Sequence, residues 1–209
     1  MKASKDFIRS IPKVLLHDHL DGGVRASTVI DLAEKIGYTG LSTHDPAELD
    51  IWFQRGAQRG SLPLYLEGFV HTCAVMQTEE ALERIAYECL EDMLNDGVCY
   101  CETRFAPLLH IKGTLNTNQV VTAVLRGLER GKADFGVHFG LILVALRHMT
   151  PANSLEVAAL ACEFRDKGVV GFDFAGMEKG YPPDSHIDAF NYITKHHFNI
   201  TCHAGKIKS

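Results

Sequence analysis

Two histidines stand two residues apart in "KVLLHDHLDGG", residues Lys13 to Gly23, directly after an apolar run and before a glycine pair. If this segment is a strand, both imidazoles point to the same side of a sheet and could bind one metal ion. Random placement of the 11 histidines among 209 residues already gives roughly 0.6 such pairs. The spacing alone therefore decides nothing, and the surrounding elements must decide whether His17 and His19 are ligands.

Five short runs rich in β-forming residues alternate with segments of helical periodicity. The runs cover residues 13–20, 98–106, 137–146, 169–175 and 199–203, and most are continuous apolar stretches, typical of parallel strands covered on both faces. The helical segments cover residues 27–36, 78–95, 118–130, 154–167 and 185–197. This alternation predicts a parallel sheet with right-handed crossovers.

The first crossover, around residues 40–76, is much longer than the others and too apolar for a linker. It predicts extra helices that form a lid over one mouth of the sheet. No low-complexity stretch or Pro/Gly-rich linker divides the chain. We therefore predict a single domain over residues 1–209.

Five βα units fit either an open doubly wound sheet or part of an eight-stranded barrel. A doubly wound nucleotide-binding sheet usually has a glycine-rich turn after its first strand, whereas this strand ends in His, His and Asp. Neither G-x-G-x-x-G nor a P-loop occurs. Polar residues at the carboxyl ends of several strands favour a barrel. We therefore predict an α/β fold, a (β/α)8 TIM-type barrel of which this chain supplies about the first five βα units.

A third histidine completes a possible metal site. On an extended strand, His17, His19 and Asp21 share one face, and His203 ends the fifth run in "TCHAG". Since the carboxyl ends of parallel strands meet at one mouth, three imidazoles there could bind zinc and leave one position for water, as catalytic zinc requires. The alternative, that all three are ordinary structural histidines, is disfavoured by the joint pattern.

Other polar residues have simpler interpretations. His196 and His197 end a predicted helix, where a positive charge is favourable. Glu102 and Arg104 share a strand face and predict an internal ion pair, and Asp173 is interpreted as a structural carboxylate. The remaining histidines show no evident partner and are interpreted as surface or packing residues: His44, His71, His110, His138, His148 and His186.

Composition narrows the classes of partner. The formal net charge of −5 comes without any basic block, which disfavours a nucleic-acid partner. No apolar stretch approaches the length of a membrane span, and residues 1–12 lack the apolar core of a secretory signal. The six cysteines show no disulfide-scaffold spacing and are interpreted as reduced core thiols. We therefore expect a cytoplasmic protein.

Four motifs together resemble the adenosine deaminase family, zinc-dependent barrel hydrolases of the amidohydrolase superfamily. "LLHDHLDGG" looks like the family's first-strand motif, "ETRFAP" its second-strand segment, "VVGFDFAGME" its fourth-strand segment and "TCHAG" its fifth-strand histidine. The similarity runs in order and with matching spacing from about residue 11 to residue 205. This resemblance implies that the histidine pair belongs to a metal site.

Carried over onto this sequence, the resemblance implies that His17, His19 and His203 bind Zn2+. Asp21 would hold a ribose hydroxyl, and His19 would also lie against the nucleoside. Gly176, which spacing alone would make a turn glycine, would offer its backbone N–H to the purine ring.

The implied reaction is hydrolytic deamination of adenosine, or deoxyadenosine, to inosine and ammonia in purine salvage, with zinc activating the attacking water. The implied partner is a small purine nucleoside, with neither a nucleic acid nor a membrane. The other zinc deaminase design needs H-x-E and P-C-x-x-C, and neither occurs here. A hydrophobic lid would be formed by Leu62, Tyr65, Leu66 and Phe69, although their helical spacing equally fits a core stripe.

The sequence departs from the family pattern directly after "HAG". The family has a glutamate there that protonates the purine N1, and this chain has Lys206, so no residue is assigned as catalytic. An unperturbed ammonium is a poor proton donor at neutral pH. The family's later strands, with a further histidine and paired aspartates, are not among the 209 residues, and we expect a sequence truncated after the fifth strand. The alternatives are a non-catalytic fragment, an adenine deaminase, or a metal-dependent phosphatase or nuclease barrel.

Overall fold

The sheet consists of five parallel strands that follow one another in chain order. The computed structural model describes residues 4–57 and 62–205. Its strands are β1 (Lys13–His19), β2 (Val98–Phe105), β3 (His138–Leu146), β4 (Val169–Ala175) and β5 (Ile200–Cys202). The strand order β1-β2-β3-β4-β5, with every neighbouring pair parallel, gives a curled half-barrel. The five predicted strands are confirmed, with β5 shorter than predicted.

Helices connect the strands as the alternating pattern predicts. In the described residues the α-helices are α1 (Lys5–Ser10), α2 (Ala26–Ile36), α3 (Pro46–Ala57), α4 (Leu62–Val75), α5 (Glu79–Asn95), α6 (Thr117–Phe135), α7 (Pro151–Glu163) and α8 (Ile187–Lys195). Single 3-10 turns cover Pro107–His110, Arg165–Lys167 and Pro183–His186. Helices α3 and α4 lie in the long first crossover, whereas α1 is not indicated by the sequence pattern. None of the described helices combines the length and apolar character needed to cross a membrane.

Helix α7 begins at Pro151, earlier than the predicted start at Ser154. The Thr150 hydroxyl accepts a hydrogen bond from the Asn153 backbone N–H at 3.2 Å, and the Asn153 side-chain oxygen accepts one from the Thr150 N–H at 3.3 Å. This reciprocal capping box satisfies amide donors that the helix itself leaves open, and a proline at the first position already has a helical φ. These local signals place the helix start ahead of the apolar periodicity.

Helix α6 extends to Phe135, beyond the predicted end at residue 130, because Gly131 packs against a neighbouring helix rather than ending α6. A Cβ atom on Gly127 would lie 2.2 Å from the Glu83 carbonyl oxygen of α5, and one on Gly131 would lie 3.1 Å from the Leu90 Cβ atom. The two glycines therefore let the backbones of α5 and α6 approach closely. The helix ends at Gly136, whose φ of +72° is left-handed.

The core lies between the sheet and its helices, where Phe105, Phe172 and Phe174 are fully buried. The described helices pack mainly on β2, β3 and β4. The outer face of β1 is therefore open, and Val14 and Leu16 are 59% and 54% exposed. Strand β1 thus owes its position to its pairing with β2 and to the residues at its carboxyl end.

The six cysteines are all free thiols, but they are not all in the core. Cys73 and Cys101 are buried, as expected, whereas Cys99 and Cys202 are exposed. The interpretation as core thiols is wrong for these two, because Cys99 lies at the amino end of β2 and Cys202 lies on the short edge strand β5.

Candidate active site

Three histidine side chains meet at the mouth of the half-barrel. The Nε2 atom of His203 lies 2.9 Å from Nε2 of His17 and 3.2 Å from Nε2 of His19. Strands β1 and β5 are the two edges of the sheet, so the curl of the sheet brings these residues together although 184 positions separate His19 from His203. The structure thus places the three predicted ligands in one cluster.

The donor set of this cluster fits a metal ion. A tetrahedral zinc bound at 2.0–2.1 Å places its nitrogen ligands about 3.3 Å apart, close to the distances between these rings. The three ring nitrogens face one another, and a cation among them would accept all three lone pairs. His203 is buried and His17 is exposed, so one side of the cluster is open to solvent. The arrangement could therefore hold one metal ion with room for a water molecule.

Asp173 is positioned to orient His203. The Asp173 Oδ2 atom lies 2.8 Å from Nδ1 of His203, on the ring edge opposite to Nε2, although the ring N–H is not aligned for a hydrogen bond. The same Oδ2 accepts a hydrogen bond from Nη1 of Arg104 at 3.0 Å, and Oδ1 accepts one from the backbone N–H of Phe174 at 2.8 Å. The interpretation of Asp173 as merely structural is incomplete, since its carboxylate is in contact with a candidate ligand.

Electrostatics keeps the Asp173 carboxylate charged. Burial raises its pKa, but the contacts with His203, Thr201 and Arg104 outweigh burial and hold the pKa well below the usual range of a carboxyl group. A carboxylate behind a ligating imidazole fixes its tautomer and increases its basicity. A proton on Nδ1, the side of His203 that faces Asp173, would leave Nε2 free to bind a metal.

Arg104 does not form the predicted ion pair with Glu102. Its Nη1 atom binds Asp173, and its Nη2 atom donates a hydrogen bond to the Leu16 carbonyl oxygen at 2.8 Å. Glu102 instead accepts a hydrogen bond from the Tyr100 hydroxyl at 3.1 Å. Arg104 points across the mouth, and it links the strand that carries His17 to the carboxylate that contacts His203.

Arg147, directly after β3, is a second arginine that the sequence reasoning missed. It is buried, its Nη2 atom donates a hydrogen bond to the His203 carbonyl oxygen, and its guanidinium lies 5.0 Å from the centre of the Phe174 ring. It therefore holds the backbone at the end of β5. The signal in the sequence was its position immediately after a buried strand, because charged residues at the carboxyl ends of barrel strands indicate the active face.

A cavity of about 270 Å3 adjoins the histidine cluster and is lined by two of its members, His19 and His203. The predicted substrate-binding residues His19, Asp21 and Gly176 all line it, and so do Leu66 and Phe69 of helix α4. The remaining lining residues are Val70, Cys73, Phe105, Ala106, Leu109, Lys112, Val144, Leu146, His148, Ala175 and His203. The side chains of the other two predicted lid residues, Leu62 and Tyr65, lie outside the described part of the structure, as does Lys206.

Asp21 and Gly176 offer two kinds of polar contact to the cavity. Asp21 is buried, and its Oδ1 atom has no hydrogen-bond partner among the described residues. Burial raises the pKa of its carboxyl group to about 7. Gly176 follows β4 with a left-handed φ of +96°, and a Cβ atom there would lie 3.3 Å from Nδ1 of His148. A glycine is therefore needed for this backbone to line the cavity.

Among the histidines interpreted as lacking partners, three have a hydrogen-bond partner on another element. Nδ1 of His71 lies 2.8 Å from the Tyr38 hydroxyl, and Nδ1 of His186 lies 2.8 Å from the Ser154 hydroxyl. Nδ1 of His110 lies 3.0 Å from a main-chain carbonyl, and this side chain is fully buried. Each partner belongs to a different element of the chain, so sequence spacing could not indicate it.

Comparisons with known proteins agree with the geometry of this site. A sequence model of the family described as adenosine deaminase matches residues 12–209. The chain belongs to the adenosine deaminase family. The adenosine deaminase of Mycobacterium ulcerans (strain Agy99) is 52% identical over 206 residues, covering 96% of this chain and 56% of the relative. The chain thus spans little more than half the length of this curated relative.

Solved structures with the same fold support the assignment. A cog1816 amidohydrolase from Burkholderia ambifaria with bound Zn has a TM-score of 0.83 and 26% identity, covering 98% of this chain and 56% of that one. The Arabidopsis ADAL protein complexed with IMP has a TM-score of 0.82 and 27% identity, covering 98% of this chain and 61% of that one. The prediction of a TIM-type barrel, of which this chain supplies about the first five βα units, is confirmed.

Proposed function

We propose that the protein hydrolyses adenosine and deoxyadenosine to inosine and ammonia, using a Zn2+ ion held by His17, His19 and His203. The observation that carries this proposal is the convergence of three imidazole nitrogens beside a cavity of about 270 Å3 that His19 and His203 line. Membership of the adenosine deaminase family and a solved structural relative with bound Zn support it. When bound, zinc supplies Lewis-acid activation of water and stabilises developing negative charge.

The residues of this chain hold the nucleoside and the metal ligands in place. Asp21 accepts a hydrogen bond from a ribose hydroxyl, which satisfies its unpartnered Oδ1 atom. Gly176 offers its backbone N–H to the purine ring, and His19 lies against the nucleoside. In the overall reaction water adds at C6, the exocyclic amino group takes up a proton, and ammonia leaves.

The apolar helix α4 acts as the lid of this site. Leu66 and Phe69 line the cavity, and the Phe69 ring lies at right angles to His19 with 6.2 Å between ring centres. Apolar walls that close over a small ligand exclude water and strengthen the few polar contacts that remain. The contact between α4 and the cavity supports a single domain over residues 1–209, in which the segment around 40–76 forms the lid of the active site.

The partner in this proposal is a small purine nucleoside, and the cellular setting is purine salvage in the cytoplasm. The complex of the Arabidopsis ADAL protein with IMP supports a purine ligand, since IMP is a hypoxanthine nucleotide and it is bound there to a protein with a related fold. The net charge of −5 without a basic block disfavours a nucleic-acid partner.

A chimera tests the proposed activity. The chain up to Gly205 is joined to the remaining part of the Mycobacterium ulcerans adenosine deaminase, loaded with one equivalent of zinc, and assayed for ammonia release from adenosine. We expect release that is lost on chelation and in the His203→Ala variant but kept in the matched His44→Ala variant. A zinc-loaded chimera that releases no ammonia from adenosine contradicts the proposal, and faster turnover of free adenine reassigns it to an adenine deaminase.

A second candidate function is a non-catalytic nucleoside-binding chain, and the observation that favours it is Lys206. The family resemblance places an acid at this position, and an unperturbed lysine ammonium is a poor proton donor at neutral pH. The 209-residue chain and its Lys206→Glu variant are compared in the same ammonia assay. Chelator-sensitive deamination by the unaltered chain contradicts this second candidate. The absence of deamination in both proteins supports it.

A further inference from the structure

A second group of possible metal ligands lies beside the cavity, outside the three histidines. Asp21, Cys73 and His110 each contribute one ligand atom, and these atoms all lie within 4.8 Å of one another. The three residues come from different elements: the loop after β1, helix α4 and the 3-10 turn after β2. All three side chains are buried, with exposures of 4%, 6% and 0%.

Two polar atoms of this group are buried without a partner. In the described residues, Oδ1 of Asp21 and Nε2 of His110 have no hydrogen-bond partner. The Nδ1 atom of His110 is already used, since it lies 3.0 Å from the Met76 carbonyl oxygen. The Cys73 thiol reaches Oδ2 of Asp21 only at 4.0 Å. Buried polar atoms without partners are costly, so a ligand that binds both would be stabilising.

The chemistry of the three groups selects the kind of ligand. One sulfur, one imidazole nitrogen and one carboxylate oxygen form a ligand set that binds zinc and other soft divalent cations in preference to magnesium or calcium. Tetrahedral coordination needs these atoms about 3.3–3.7 Å apart. Side-chain movements of about 1 Å would achieve that, and the adjoining cavity leaves a fourth position open.

We propose that Asp21, Cys73 and His110 form a second site for a soft divalent cation, and that a cation bound there inhibits the enzyme. The inhibitory part rests on the proposed function, because a metal on Asp21 removes the carboxylate that would accept the ribose hydroxyl. Lys112 lines the same cavity and repels a cation. Binding is therefore weaker here than at the three histidines.

Cadmium is the probe for this site, because its bond to a thiolate gives an ultraviolet charge-transfer band. The full chain is first loaded with one equivalent of zinc and then titrated with Cd2+. We expect a band that saturates with one further equivalent in the unaltered chain and in the matched variant Cys99→Ser, whose thiol is exposed. The band is absent in Cys73→Ser and weakened in His110→Gln. A band of unchanged height in a folded Cys73→Ser overturns the proposal.

A measurement on the unaltered chain is independent of how the variants fold. Alkylation of each cysteine is followed by mass spectrometry with and without Cd2+. At a Cd2+ concentration ten times the dissociation constant, alkylation of Cys73 slows about tenfold, because the free site falls to about one tenth. Equal alkylation rates at Cys73 overturn the proposal. Neither readout requires turnover, so a failed deamination assay leaves this test intact.

Discussion

Replacing Asp173 by asparagine should weaken metal binding, although Asp173 contacts the candidate ligand His203 and is not itself one of the three candidate ligands. The Asp173 carboxylate contacts Arg104 and His203 at Oδ2, accepts the Phe174 backbone N–H at Oδ1, and also accepts a hydrogen bond from Thr201, so all its neighbours are donor groups. An asparagine of the same shape must turn its NH2 group toward one of these donors. If it faces His203, the imidazole relieves the clash by moving its proton from Nδ1 to Nε2, and Nε2 can then no longer bind the metal.

The size of the effect follows from burial and distance. Asp173 is fully buried and 3.0 Å from Arg104 Nη1, and removing one partner of such a pair costs about 3–5 kcal/mol of unfolding free energy. Loss of the carboxylate behind a ligating histidine typically lowers metal affinity by about 10–100-fold. We therefore expect both a less stable apoprotein and weaker zinc binding in Asp173→Asn.

Two assays separate these effects. Zinc affinity is measured by competition with a chromophoric chelator, and the free energy of unfolding is measured by urea denaturation in the presence of excess chelator. The matched control is Asp92→Asn, since Asp92 is half-exposed and pairs with Arg25 at 2.7 Å. A surface pair of this kind contributes at most about 1 kcal/mol, and its removal should leave zinc affinity unchanged.

One outcome would refute the reasoning about Asp173. If Asp173→Asn loses several kcal/mol of stability but binds zinc as tightly as the unaltered chain, the carboxylate only balances the charge of Arg104. Its position behind His203 would then have no influence on the metal site.

Three further predictions concern packing, the lid and the purine contact. Gly127→Ala should lower the unfolding free energy by about 1–3 kcal/mol through overpacking, and Gly131→Ala by less, because its Cβ has more room; urea denaturation of both variants checks this. Burial lowers the pKa of His71 below its usual value, so the stability that its neutral form contributes is complete above the unfolded pKa of about 6.5 and is lost as the pH falls below it. The ring of Trp52, the single tryptophan, lies 5.1 Å from that of His71, so its fluorescence should change over this pH range and should not do so in His71→Gln. Gly176→Ala should cost about 1–2 kcal/mol of stability because its φ is left-handed, and should weaken binding of a purine nucleoside measured by calorimetry; unchanged binding would contradict the assigned backbone contact.

Local patterns predicted the strands and the histidine cluster because both depend on short-range features. The apolar runs that end in His17, His19 and His203 identify strands, and parallel strands bring their carboxyl ends to one mouth. The (β/α)8 assignment followed from the absence of a glycine-rich nucleotide turn and from the order of the motifs. These inferences needed no knowledge of how tightly the sheet curls.

Contacts across the mouth could not be predicted, because they depend on that curl. Arg104 shares a strand face with Glu102 in the sequence, but the curl brings Asp173 nearer, so the predicted ion pair was wrong. The group of Asp21, Cys73 and His110 joins a loop, a lid helix and a 3-10 turn that have no common spacing. Residue periodicity contains no information about such distances.

The central claim is that His17, His19 and His203 bind one zinc ion, and anomalous diffraction at the zinc absorption edge tests it most directly. Crystals of the chain prepared with one equivalent of zinc should show one strong anomalous peak at about 2.0–2.1 Å from all three Nε2 atoms. A peak elsewhere, or one in contact with fewer than two of these histidines, would contradict the account.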